Sequence, residues 1–318
     1  MAPQDLGLNG QDEHGRARGR SSALHAVILA AGVGSRLGDL TRHRPKALLP
    51  LEGEAGRGEA GAGNGPGDPG NPVGEADGGG GTTFLDHSLQ CLAGTPVTRV
   101  YVVGGHAFEA LERHVAARWR PWLESGRLVL RRFPDYRTVN NAGTVYFARE
   151  AFAEPCLLLN SDIVYHPAVL ARAVEQVAAD PGQSFLVVDG SVDLAEEEMK
   201  VALDGAGFVR AVSKQLAPAE AAGEYIGILY LTPADAARVL DLTARVLAAG
   251  TTHLYYEDAI HRCLGDLRLR ALFIDGLPWT EVDTPDDYRR ARAIYAALGG
   301  GAGTGEGGGP GGAAGTAH

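Results

Sequence analysis

No apolar run in this 318-residue chain is long enough to cross a bilayer as a helix, and no hydrophobic core follows the charged residues near its start. A membrane protein and a secreted one are therefore not expected, and the reading is cytoplasmic. Cysteine is scarce. Cys91, Cys156 and Cys263 each sit in an apolar or helix-like stretch, without metal-ligand spacing. This excludes a disulfide scaffold and a cysteine metal site, and buried free thiols are expected. Basic residues are outnumbered, with Lys+Arg 29 against Asp+Glu 39 and a net charge of -10. That balance argues against a general nucleic-acid or anionic-membrane surface, though not against a local basic pocket.

Glycine, in contrast, is abundant, with 45 in the chain, and much of it falls in segments without apolar periodicity. Residues 1–22 and 299–318 read as disordered tails, and 54–81 as a disordered Gly-rich insertion in a domain spanning 23–298. Loop-closure entropy grows slowly with length, so such an insertion is tolerable and is expected to be passive. Within the domain, strand-like runs at 24–30, 99–103, 127–133 and 155–160 alternate with helical spacing at 84–92, 107–119 and 144–152. This predicts an α/β fold with a mostly parallel sheet covered by helices on both faces. The second half changes character. Strands are predicted at 184–189, 200–203, 208–213, 224–231 and 268–274, with a hairpin turn at Asp204-Gly205-Ala206-Gly207. Helices are predicted at 233–248, 257–264 and 285–298. The whole reads as one domain with a mixed second half.

The most informative segment is 26–51, where a buried strand breaks into Ala31-Gly32-Val33-Gly34-Ser35-Arg36 and Lys46 follows Pro45. Glycines let bare N–H groups approach anionic oxygens, and two cations add charge. The turn has neither the P-loop spacing nor the G-x-G-x-x-G fingerprint, and G-x-G alone is weak. The full set of Leu29-Ala30-Ala31-Gly32, Gly34, Arg36-Leu37, Thr41, Pro45-Lys46 and Leu49-Pro50-Leu51 nevertheless resembles the N-terminal signature of nucleotidyltransferases that make nucleoside-diphosphate sugars and alcohols. The resemblance implies a Rossmann-like, GT-A-like nucleotidyltransferase fold with a mixed substrate-binding half. It also implies Mg²⁺ as cofactor and a nucleoside triphosphate as partner. In that family Arg36 would meet the β- and γ-phosphates, and Lys46 the α-phosphate and the attacking oxygen. Leu29, Ala30, Ala31, Gly32 and Gly34 would bind the nucleotide, with Gly105 closing over the base. Asp162, after the strand Leu157-Leu158-Leu159-Asn160, and Asp283, in Glu281-Val282-Asp283-Thr284-Pro285-Asp286-Asp287, match the family's metal ligands. By residue type alone each could instead cap a turn or helix.

The acceptor is read from later residues. Asp135-Tyr136-Arg137-Thr138-Val139-Asn140-Asn141 followed by Thr144 resembles the phosphocholine cytidylyltransferase group and its phosphonate-activating relatives. Asn140 and Thr144 are thereby expected at the nucleotide. Lys200 and Lys214 are either strand-surface charges or receivers of the acceptor phosphate. Tyr255-Tyr256-Glu257-Asp258 is either core aromatics opening a helix or a site for an aminium head. Lys200, Tyr256, Glu257 and Asp258 are the substrate-binding candidates. The expected reaction moves CMP from CTP to a small phosphorylated alcohol or phosphonate, of the phosphocholine or 2-aminoethylphosphonate type. A sugar-1-phosphate nucleotidyltransferase using UTP, GTP or dTTP is the alternative. No nucleic-acid or membrane partner is expected, and the assembly is left open to a homodimer.

Overall fold

The computed structural model describes residues 23–52, 81–274 and 276–299. The tail and insertion readings at 1–22, 54–81 and 299–318 lie almost wholly outside them. Strand β1 (Leu24–Ala30) is buried nearly throughout, which is why its sequence is continuously apolar rather than alternating. It pairs in parallel with β2 (Val97–Gly104) on one side and β4 (Cys156–Asn160) on the other, with Ile28 opposite both Val102 and Leu159. β3 (Leu128–Arg132) extends this parallel group beyond β2. Past β4 lies β9 (Gly223–Leu231), antiparallel, then β6 (Phe185–Asp189) and β10 (Arg270–Phe273). A hairpin of β7 (Lys200–Leu203) and β8 (Val209–Ser213) attaches to β9, turning where Asp204 to Gly207 predicts it. The fold is thus a mostly parallel, mixed α/β sheet.

Helices cover both faces. α1 (Phe84–Ala93), α2 (Phe108–Arg118) and α5 (Pro167–Ala179) share one core cluster with Ala26 and Ile28. The short α3 (Arg120–Glu124) follows α2. α4 (Asn141–Phe147), α6 (Pro233–Ala248) and α7 (Tyr256–Cys263) share the other core cluster with Val27. Threonine caps start three helices: Thr83 for α1, Thr232 for α6 and Thr284 for α8 (Pro285–Ala297). α4 begins earlier than its apolar spacing predicts, because the Asn140 side chain accepts from Asn141 N and sets the start there; beyond Phe147 the chain tightens into a 3₁₀ turn. α5 is a helix that the strand–helix pattern does not include.

A second small sheet also lies outside the sequence expectation. β5 (Ile163–Tyr165) pairs antiparallel with β11 (Trp279–Glu281), each only three residues long. Val282 N donates to Asp162 O at 2.9 Å, so this pairing fixes Asp162 beside the Glu281–Asp283 segment. A satellite core of Leu37, Leu49, Leu51, Phe84, Val164, Val282 and Tyr288 lies beneath. Burying such side chains contributes roughly 1.5–3 kcal/mol each. Its function in the architecture is to draw the Arg36–Lys46 loop and the Asp283 turn onto one base.

Candidate active site

The turn after β1 is held by its own side chains. Gly34 is left-handed (φ 64) and Gly38 has φ 57. Thr41 Oγ1 donates to Gly34 O at 2.9 Å and to Gly38 O at 3.3 Å, closing the turn. A Cβ at Gly34 would lie 3.1 Å from Thr41 Cγ2. Gly34→Ala is therefore expected to destabilise the protein by about 1–2 kcal/mol, the usual cost of left-handed backbone for an L-residue. A urea melt checks this, and a wild-type midpoint would contradict it. Behind the turn, a Cβ at Gly105 would meet Ala31 O at 2.9 Å. His106 N donates to that same oxygen, and His106 Nε2 donates to Thr41 O at 2.7 Å.

Lys46 reaches from the loop to both aspartates. Its Nζ donates to Asp162 Oδ2 at 2.9 Å and to Asp283 Oδ1 at 3.0 Å, and Arg36 Nη2 donates to Asp283 Oδ2 at 2.8 Å. Burial disfavours the Lys46 ammonium, yet the two carboxylates override it and raise its pKa. Asp283 loses hydration too, but Lys46 and Arg36 hold its carboxyl below the usual range. Glu281, exposed at the end of β11, completes the group in the cleft. There desolvation and the charges of Asp162 and Asp283 push its pKa up. One oxygen of each of the three carboxylates lies within 4.8 Å of the others. Asp162 Oδ1 is buried and has no hydrogen-bond partner. An orphaned carboxylate oxygen on one of three clustered acids suits a hard divalent cation, so these residues could hold Mg²⁺. The exposed Arg36–Asp283 pair is worth at most about 1 kcal/mol, so Arg36 is cheaply released to an anionic ligand.

These groups open into one cleft of about 920 Å³, a volume within the range of ligand sites. Leu29, Ala30, Ala31, Gly32, Gly34, Arg36, Lys46, Asn140, Thr144, Asp162, Asp283 and Glu257 all line it. Four expected site residues do not. Gly105 packs behind Ala31 and serves the loop's shape. Tyr256 is buried, its hydroxyl 2.9 Å from that of Tyr225 and donating to Asn160 Oδ1 at 3.1 Å. Asp258 accepts from Tyr255 N and caps α7. Lys200 is wholly buried and gives its ammonium hydrogens to main-chain carbonyls.

Other lining residues were not among the expected site set. Glu281 stands two residues before Asp283 at the end of β11, and the motif around it was the available signal. Asn141 is local as well, accepting from Tyr256 N at 2.8 Å and donating to Glu257 at 3.5 Å. Asp189 and Glu224 are brought together by the antiparallel pairing of β6 with β9, and Trp279 joins them from the separate β5–β11 sheet. Trp279 Nε1 donates to Asp189 Oδ2 at 2.8 Å. Burial, with Glu198 and Asp189 nearby, pushes Glu224 up to about 7, and burial pushes Glu257 up to about 7.

Residues 26–273 match the model of the MobA-like NTP transferase domain. A CMP-5'-(3-aminopropyl)phosphonate synthase from Streptomyces rubellomurinus is 30% identical over 284 residues, which are 84% of this chain but 38% of that protein. This chain therefore spans well under half the length of that relative. Among solved structures, a CTP:phosphocholine cytidylyltransferase from Streptococcus pneumoniae superposes with TM-score 0.60 at 16% identity, covering 86% of this chain and 99% of that one. A UDP-glucose pyrophosphorylase superposes with TM-score 0.63 at 14% identity, covering 86% and 99%. These two show the fold. The family match, which spans well over half of the chain, places it in the nucleotidyltransferase family of the MobA-like NTP transferase domain.

Proposed function

We propose that the chain transfers CMP from CTP to a small aminoalkylphosphonate or a similar amine-bearing phosphate, releasing pyrophosphate. The observation that carries the reaction type is the ammonium of Lys46 bridging Asp162 and Asp283 at the mouth of the glycine turn. In this reading the nucleoside lies along Leu29 to Gly32, between β1 and the start of α4, and Arg36 meets the β- and γ-phosphates. Lys46 faces both the α-phosphate and the incoming oxygen, holding two anions in line where repulsion would separate them. The acceptor oxygen, already deprotonated, forms its bond to the α-phosphorus. The bond from that phosphorus to the bridging oxygen breaks, and its electron pair leaves with pyrophosphate. Asp162 and Asp283, with Glu281, would hold Mg²⁺, which when bound neutralises charge on the triphosphate.

The sheet order supports the choice of acceptor. β1 and its turn lie to one side of β4 and Asp162, while β9 and β6 lie to the other. That far side brings Glu197, Glu198, Glu224 and Asp189 to the cleft, four acids against Lys214, which also lines it, and Lys200, which is buried across from Glu224. Such an end favours an ammonium-bearing acceptor over a neutral sugar or inositol ring. The 30% identity to an aminopropylphosphonate-activating synthase supports the same choice. The test is pyrophosphate release from each of CTP, UTP, GTP and dTTP with Mg²⁺ and a panel of acceptors. Release with CTP and 2-aminoethyl- or 3-aminopropylphosphonate is expected. Release confined to UTP or dTTP with a hexose 1-phosphate would overturn the reading.

A further inference from the structure

Lys200 is the first residue of β7, and the segment before it, 190–199, joins β6 to β7 without regular secondary structure. Most of that segment is exposed, and it supplies Ser191, Val192, Glu197, Glu198 and Met199 to the cleft. Such a loop has little apolar burial to fix its shape. Its start is held by the buried Asp189, whose carboxylate accepts from Ser191 N at 2.8 Å and Ser191 Oγ at 2.6 Å, and its end by a buried ammonium. Lys200 is 0% exposed, and Nζ donates to Ala195 O at 2.9 Å, Glu196 O at 2.9 Å and Glu198 O at 3.1 Å. A lysine ammonium has three hydrogens, so these three carbonyls use all of them and none remains for a substrate oxygen. The loop closes on itself as well, with Ala195 N donating to Glu198 Oε2 at 2.8 Å. The strand register ties the anchor to the acidic end: Lys200 pairs across from Glu224, and Tyr225 N donates to Met199 O at 2.8 Å.

Burying an ammonium is costly, and ordinary packing at a strand start would be met by an apolar residue. What the charge provides here is a point around which three consecutive-turn carbonyls are folded. We propose that Lys200 is a positioning residue: its buried ammonium shapes loop 190–199 so that Glu197 and Glu198 face the cleft and form the wall that receives the acceptor's cationic end. The assignment of that wall to the acceptor rests on the function proposed above. Lys200 touches no substrate.

The test uses the full chain and Lys200→Met, which keeps the length of the side chain and removes the ammonium. Hydrogen exchange of the 190–199 amides is expected to quicken, while the amides of β1 stay protected. The acceptor KM is expected to rise about tenfold, as for the loss of a buried charged hydrogen-bond partner, with the CTP KM within about twofold of wild type. Equal rises in both KM values, or an unchanged acceptor KM with unchanged loop exchange, would overturn the proposal. Should Lys200→Met not fold, Lys200→Gln removes the charge and keeps only two of the three donor hydrogens, and the same split between the two KM values is expected. An unchanged acceptor KM in that variant would overturn it. If the wild-type chain turns over no aminoalkylphosphonate, the substrate reading fails. Loop exchange in Lys200→Met, or in Lys200→Gln, then decides alone: faster exchange upholds the anchor and unchanged exchange overturns it.

Discussion

Asp162→Asn is expected to lower kcat by about a hundred- to a thousandfold, the scale on which single charge-stabilising groups act, while leaving the fold intact. The substitution is nearly isosteric. The Val282 N bond to the Asp162 main-chain oxygen survives it, so the β5–β11 sheet stays paired. What is lost is one charge. Oδ2 no longer offers Lys46 a carboxylate at 2.9 Å, and Oδ1, buried and without a partner, no longer offers a cation an anionic ligand. Stopped pyrophosphate assays with a circular-dichroism melt check this. A kcat within about tenfold of wild type at an unchanged melting temperature would remove Asp162 from the chemistry.

Lys46→Met is expected to cost about as much turnover and to alter stability in a way Asp162→Asn does not. With the ammonium gone, Asp162, Glu281 and Asp283 face one another with the exposed Arg36, and more weakly Lys214, as counter-charge. The melting temperature should therefore fall in the absence of divalent cation. It should recover more on adding Mg²⁺ than wild type does, since a ligand that binds only the native state stabilises it by mass action. The acid limb changes in a defined direction. Asp283 is held below its ordinary pKa, first against desolvation and then chiefly by Lys46. In wild type that stabilisation is present above the ordinary carboxylate range and is lost as pH falls through the lowered value. Without Lys46 the loss on acidification should be shallower. Thermal melts across Mg²⁺ concentration and pH read both effects. Equal Mg²⁺ gains in the two proteins would contradict the account.

The parallel core was legible because β1 and β4 are buried at all but one residue each, and their apolar runs bounded by turns carry the strand signal by themselves. Helix α6 was legible to the residue, since Pro233 marks its start and its apolar spacing persists to Ala248. The β5–β11 pair was not legible. Three-residue strands have no periodicity to read, and their partners lie far apart in sequence. The site shows the same division. The glycine turn, Arg36 and Lys46 are local features, and Asp162 and Asp283 follow from where strands end. Lys200, Tyr256 and Asp258 are polar residues close to the cleft in sequence, but burial takes the first two inward and helix capping engages the half-buried third. Side-chain direction at a strand start or a first helical turn depends on the tertiary contacts, which for Lys200 are three carbonyls of the preceding loop. Asp189 and Glu224 lie far apart in sequence and meet only because β9 runs antiparallel beside β6, a pairing that spacing along the chain does not show.

The central claim is that an acceptor oxygen attacks the α-phosphorus of a nucleoside triphosphate held over Lys46, Asp162 and Asp283. It is tested most directly by giving the full chain CTP, Mg²⁺ and 2-aminoethylphosphonate whose phosphonate oxygens carry a heavy-oxygen isotope, and following the label by mass spectrometry. The account predicts a cytidylyl–phosphonate product that retains the label, including in the new bridging position, and unlabelled pyrophosphate. Label in pyrophosphate or inorganic phosphate, or CTP consumed with no joined product, would contradict it.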